Sequence, residues 1–211
     1  MADHTELHDR ILDQALALAE AGSWETLRLH DVAEALQISL DDIRRCYPQK
    51  DDLVEAWFDR ADQAILSGTA VTEFSQLPES ERIERVLMMW LDTLAPHRRL
   101  TRQMLMYKLE PGHVHLQILG LMRISRTVQW FREAARLDAD GWRRIADEIW
   151  LTRVYLATFT RWLFDDSPDS RSSRTCLAGL LRCREQCGNL ATRLWCVPGT
   201  TRHDSRYRPE H

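Results

Sequence analysis

An all-α fold follows from two observations. The 211-residue chain has only eight glycines and seven prolines. Between them run long stretches whose apolar residues recur every three or four positions, the spacing of one helix face. Sparse turn residues with that periodicity favour helices over strands, and an apolar fraction of 44% supplies a core. The pattern predicts about nine helices: an N-terminal three-helix unit, residues 1–48, then a helical bundle, residues 49–195, and a disordered tail, residues 196–211.

The first helix is predicted from about Thr5 to Ala21. Ile11, Leu12, Ala15, Leu16 and Ala19 form its apolar stripe, and Gly22 stops it. Trp24 and Leu27 plug the base of the small unit. A second helix spans Leu29–Leu36 with Val32, Ala33 and Leu36 inward. Gln37-Ile38-Ser39 makes a tight turn. Ser39 is an N-cap for the third helix, and Asp42 stands three residues on, as a capping pair requires. Ile43 and Tyr47 point inward, and Pro48 ends the helix. A fourth helix starts near Lys50 with Leu53, Val54, Trp57, Phe58, Ala61 and Ile65 on its inner face.

Residues Gly68–Pro78 read as a polar connection. Glu79–Ala95 is amphipathic, Pro96 breaks it, and a shorter helix covers His97–Tyr107. His113–Leu137 is long and apolar-rich. Trp142–Phe164 is apolar on more than one face, and a last helix covers Ser172–Leu194. A helix apolar all round must be covered on both sides. The expectation is a homodimer through the last two helices, with Trp150, Val154, Phe159, Trp162, Leu177, Leu180 and Leu181 at the interface.

The net charge of −4 is unevenly spread, because residues 1–60 hold six Lys/Arg against fourteen Asp/Glu. The N-terminus is acidic and lacks an apolar core segment, so no signal peptide is expected, and no apolar run reaches membrane-spanning length. Five cysteines in a chain of this size point to reduced thiols and a cytoplasmic location. Glycine-rich phosphate loops, nucleophile elbows and HExxH metal motifs are all missing, so neither an enzyme nor a cofactor is expected. Cys176, Cys183 and Cys187 share one helix face, read as small packing residues rather than as a thiol or metal sensor. His113 and His115 diverge on a helix, so no metal is expected there.

The segment from Leu27 to Leu53 has the order helix, turn, helix. Its Asp31-Val32-Ala33, Ala35-Leu36, Ile38-Ser39, Ile43, Tyr47-Pro48, Lys50 and Leu53 resemble the motif of the TetR/AcrR family of one-component regulators. The resemblance implies an operator-DNA partner, a dimer, and a small-molecule effector in the bundle. It implies DNA contacts from Arg28, His30, Ser39, Arg44, Arg45, Tyr47 and Lys50, with the lysine on phosphate. Three departures stand out. The turn glycine is Gln37, the usual aromatic on the recognition helix is Arg44, and that helix opens with Leu40, Asp41 and Asp42. The aspartates suit the positive end of a helix whether or not DNA binds.

Residues 81–186 resemble in looser layout the ubiquinone-biosynthesis accessory family, which shares the TetR fold but binds lipid and an enzyme partner. The matching segments are Leu94-Ala95-Pro96-His97-Arg98, Leu109-Glu110-Pro111-Gly112 and Trp162-Leu163-Phe164-Asp165-Asp166-Ser167. This implies an alternative function as an isoprenoid or lipid carrier without a DNA role. Five of the six methionines lie between residues 88 and 122. Met88, Trp90, Met104, Tyr107, Met122, Trp130 and Phe131 are candidates to line a pocket for a small apolar or lipid-like ligand, or else to pack as ordinary core.

Overall fold

The computed structural model describes the backbone of residues 2–108 and 114–195, and their side chains apart from 2–5, 114–119, 121, 185 and 187–195. The tail from 196, the segment 109–112, His113, and the side chains of His115 and Cys187 lie outside the described residues. Within them the fold is all-α. Nine helices follow in order: α1 (Ala2–Ala21), α2 (Leu29–Leu36), α3 (Leu40–Cys46), α4 (Lys50–Gly68), α5 (Glu79–Leu94), α6 (Arg98–Lys108), α7 (Val114–Ala134), α8 (Gly141–Leu163) and α9 (Arg171–Trp195).

Two boundaries depart from the periodic pattern. Helix α1 starts ahead of Thr5, because its polar first turn extends the helix without adding to the apolar stripe. Helix α7 stops before Leu137, because Arg136 turns left-handed (φ 52°) and Leu137 N–H closes on Arg132 O at 3.1 Å. The connection between α4 and α5 is also less plain than its polarity implies. It holds a 3-10 turn, Thr72–Gln76, which buries Phe74.

The first three helices pack on the apolar stripe of α1. Ile11, Leu12, Ala15, Leu16 and Ala19 are buried together with Trp24, Leu27, Val32 and Ile43. Gln37 ends α2 in the left-handed region, at φ 55° and ψ 41°. There its N–H reaches Glu34 O at 3.1 Å, and the Ile38 N–H reaches Ala33 O at 3.0 Å. These two bonds close the last turn of α2 and aim the chain into α3. Ser39 then caps α3 reciprocally with Asp42: Asp42 N–H donates to Ser39 Oγ at 3.1 Å and Ser39 N–H donates to Asp42 Oδ2 at 3.0 Å.

Helix α4 leads from these helices into the rest and buries Leu53, Val54, Trp57, Phe58, Ala61 and Ile65. Its Asp62, also buried, is the meeting point of three helices. The Asp62 carboxylate accepts from Trp90 Nε1 of α5 at 2.8 Å and from Thr127 Oγ1 of α7 at 3.3 Å, and pairs with Arg123 of α7 at 2.7 Å. Burial pushes the Asp62 carboxyl above its usual pKa, against the pull of the Arg123 guanidinium. One turn and two turns earlier, Asp59 and Glu55 also pair with Arg123, and Glu55 holds buried Lys108 at 2.6 Å. Around Trp90 an aromatic nest closes, with Phe58, Phe131, Tyr155 and Phe159 at ring distances of 5.8, 5.8, 5.4 and 5.2 Å. Fully burying side chains of this size stabilises by about 1.5–3 kcal/mol each.

The α8–α9 corner is tied by Asp165. Burial would raise its carboxyl pKa, but bonds from Ser167 and Ser173, hydroxyl and backbone N–H each, outweigh that and hold it far below the carboxylate range. Among the described residues no helix is long and apolar enough to cross a membrane.

A side chain in the left-handed region costs about 1 kcal/mol that glycine avoids. Gln37→Gly is therefore expected to stabilise the protein by about 0.5–1 kcal/mol, read as a higher urea midpoint at unchanged slope.

Candidate nucleic-acid interface

The 3.6-residue period of α3 sorts its side chains. Ile43, Cys46 and Tyr47 lie on the inner face and are buried, while Leu40, Asp41, Arg44 and Arg45 form a continuous exposed stripe. The charges on that stripe are paired along the helix. Asp41 accepts from Arg44 at 2.9 Å and pairs with Arg45 at 2.5 Å. Asp42 is spent on the cap, and its bonds from Ser39 hold its carboxyl below the usual value.

Of the residues placed at a DNA contact by resemblance, five lie on the surface of this module. Arg28 is exposed just before α2, and His30 stands beside Asp31 at 2.9 Å. Ser39 is exposed but uses its hydroxyl in the cap, and Arg44 and Arg45 form the stripe. Two lie elsewhere. Tyr47 follows Ile43 by four residues and so shares its inward face. Its hydroxyl donates to His8 O at 3.0 Å, and burial pushes its pKa up to about 12. Lys50 is half-buried, and its ammonium donates to three backbone carbonyls: Trp24 at 2.5 Å, Leu27 at 2.8 Å and Glu25 at 3.3 Å. It also sits 5.1 Å from the Trp24 ring centre. Desolvation lowers its pKa. These carbonyls, in the loop between α1 and α2, fill the donor capacity that the resemblance assigned to phosphate.

Sequence reasoning did not find the bonds that brace this module against the bundle. Trp24 N–H donates to Gln103 Oε1 of α6 at 2.9 Å, and Glu20 meets Arg99 at 3.0 Å and His97 at 3.2 Å. Their partners are 77–79 residues apart in the chain, so no local spacing marks them.

Among the described residues, the candidate pocket residues do not gather around one cavity. Met88, Trp90, Met104 and Phe131 are core, whereas Met122 (65% exposed) and Trp130 (40%) face outward and Tyr107 is half-buried. Two open clefts carry several charged side chains instead. One, of about 920 Å³, runs between α5 and α9 past Glu81, Glu84, Met88, Met89, Asp92 and Arg174. Another, of about 890 Å³, lies by Trp130, Glu133, Asp138 and Arg144.

Most of the expected dimer residues pack inside the chain. Val154, Phe159, Trp162, Leu177 and Leu181 are buried within the chain, and Trp150 and Leu180 are half-buried. The exposed apolar residues of α8 are Trp142 (86%), Ile145, Ile149 and Leu156, on its opposite face. A helix apolar on two faces shows no preference in sequence, so which face the core takes is decided by its neighbours. Two segments of the looser resemblance meet in space, since the Arg98 guanidinium donates to Asp165 O and Ser170 Oγ. The third, residues 109–112, lies outside the described residues.

No protein-family model and no curated protein sequence matches the chain. Among solved structures, it is similar to a TetR transcriptional regulator from Nitrosomonas europaea ATCC 19718, with 45% identity and a TM-score of 0.77, covering 86% of this chain and 99% of that one. A bacterial regulatory protein in the tetR family from Rhodococcus RHA1 is more distant, 17% identical with a TM-score of 0.46, covering 83% of this chain and 95% of that one. On the first of these, with nearly the whole of its length aligned at 45% identity, the chain belongs to the TetR family of transcriptional regulators.

Proposed function

We propose that the chain is a one-component regulator that binds operator DNA as a homodimer and is released by a small apolar ligand. On this reading residues 1–48 hold the DNA and residues 49–195 hold the ligand and the second subunit. The observation that carries it is the exposed stripe of α3, whose Arg44 and Arg45 stand free of the core on the helix that a helix-turn-helix lays in the major groove. Exposed i,i+3 and i,i+4 ion pairs hold by only about 0.3–0.5 kcal/mol, so both guanidinium groups leave Asp41 at little cost when DNA is offered. Two subunits would set two such helices about 34–36 Å apart.

The dimer reading moves to the outward face of α8. Trp142, Ile145, Ile149 and Leu156 recur at near-heptad spacing there, and a second copy offers the same stripe. Effector action runs through α4, because Phe58 of that helix belongs to the nest around Trp90. A ligand that repacks Trp90, Phe131 and Met104 moves α4, and with it α3. For release it must bind the shifted state more tightly.

Two measurements test this. Labelled duplex from the chain's own upstream region should bind at 50 mM salt and lose at least about 100-fold in affinity by 200 mM, and Arg44→Ala should weaken it by about tenfold. Absence of binding at 50 mM salt overturns the DNA reading. By sedimentation the protein should be a dimer that Ile149→Glu splits into folded monomers, and a monomeric wild-type protein contradicts the interface.

A further inference from the structure

The acidic start of the recognition helix has two parts with different duties. Asp42 points back to the cap, taking the Ser39 N–H at 3.0 Å and the Ser39 hydroxyl at 2.6 Å. Asp41, the second residue of α3, points outward and has no role in the cap. Both of its oxygens face arginine, Oδ1 toward Arg44 and Oδ2 toward Arg45. Beside it Leu40 is 54% exposed, a large apolar side chain left half open among the described residues. The stripe is therefore one acid between two bases and next to an apolar residue, on the end of the helix that approaches base edges.

On a duplex that offers only phosphate, this arrangement works against itself. Moving Arg44 and Arg45 to phosphate strips Asp41 of both partners and leaves a carboxylate close to the polyanion, which subtracts from the counterion-release gain. A carboxylate that meets a base-edge donor gains a hydrogen bond that offsets the partners it gives up. In the major groove a carboxylate accepts from cytosine N4, while an arginine takes guanine O6 and N7. A short side chain in the first turn and two long ones a turn later suit neighbouring base pairs.

Resting on the operator-binding reading above, we propose that Asp41 is the residue that discriminates bases: it accepts from a cytosine amine in each half-site and penalises duplexes that offer phosphate alone. Arg44 and Arg45, released from it, take guanine edges nearby.

The test is enrichment from a random duplex pool, with wild type and Asp41→Asn run side by side and titration of an unrelated duplex at fixed salt. Ser39 and Asp42 keep the cap, so D41N should melt as wild type does. Wild type should enrich a half-site with an invariant C·G pair. Because asparagine pairs with adenine N6 and N7, D41N should change that one pair to A·T and keep the others. It should also bind the unrelated duplex about tenfold more tightly, having lost one repelling charge per subunit. A D41N protein that enriches the wild-type sequence overturns the assignment to Asp41 and leaves operator binding standing. A wild-type protein that enriches no sequence overturns both.

Discussion

Asp62 and Arg123 form the constraint on which the remaining architecture depends. Taking both charges out of water costs several kcal/mol per ion before any return from their attraction. The carboxyl pKa, pushed up by burial, records that cost. The group is tolerated because each oxygen has a partner: Trp90 and Thr127 on one side, Arg123 on the other. An apolar residue at position 62 would pack α4 against α5 and α7 with no fixed register. The carboxylate allows one rotation and one height for α4, and Glu55 and Asp59 repeat the restriction along the same face.

That register matters because α4 is the link between the first three helices and the bundle. At its first residue Lys50 gathers three carbonyls of the α1–α2 loop, and further along Arg60 reaches Asp9 and Asp13 of α1. A displacement at Asp62 is thus passed to the first three helices through a lysine rather than through a flexible linker. Gln37 and the Ser39–Asp42 cap then hold the angle between α2 and α3. Together these contacts form a physical path from the aromatic nest to the exposed stripe of α3.

Much of this was legible in the sequence where the signal is local. The turn at Gln37, the cap at Ser39, the start of α4 at Lys50 and the inner faces of α1 and α4 all follow from spacing within one or two turns. The left-handed Gln37 was legible through the resemblance, since the family carries a glycine at that turn. What depends on distant partners was not legible. Asp62 and Arg123 are 61 residues apart. Lys50 reads as a surface cation until three carbonyls come round to it. The inward phase of Tyr47, four residues after Ile43, was legible and stands against the DNA contact that the resemblance implied. Methionine density left pocket and ordinary core both open; Met88 and Met104 went to the core and Met122 to the surface, because composition carries no direction. The outward face of α8 was hidden for the same reason: Val154 and Phe159 are as apolar as Ile145 and Ile149, and only packing separates them.

On the proposed operator-binding reading, the Asp62 clamp sets the position of the first three helices as well as holding the fold together. That claim is tested most directly by the Asp62→Asn, Arg123→Met double variant. Replacing a buried pair by neutral groups of similar volume is close to neutral for stability, and the asparagine retains an acceptor for Trp90. Of the other carboxylates on Arg123, Glu55 keeps Lys108 and Arg126, and exposed Asp59 keeps Arg126. The account predicts native helicity, a melting temperature within about 5 °C of wild type, and operator affinity lower by about tenfold. A folded double variant that binds the operator as tightly as wild type would contradict it.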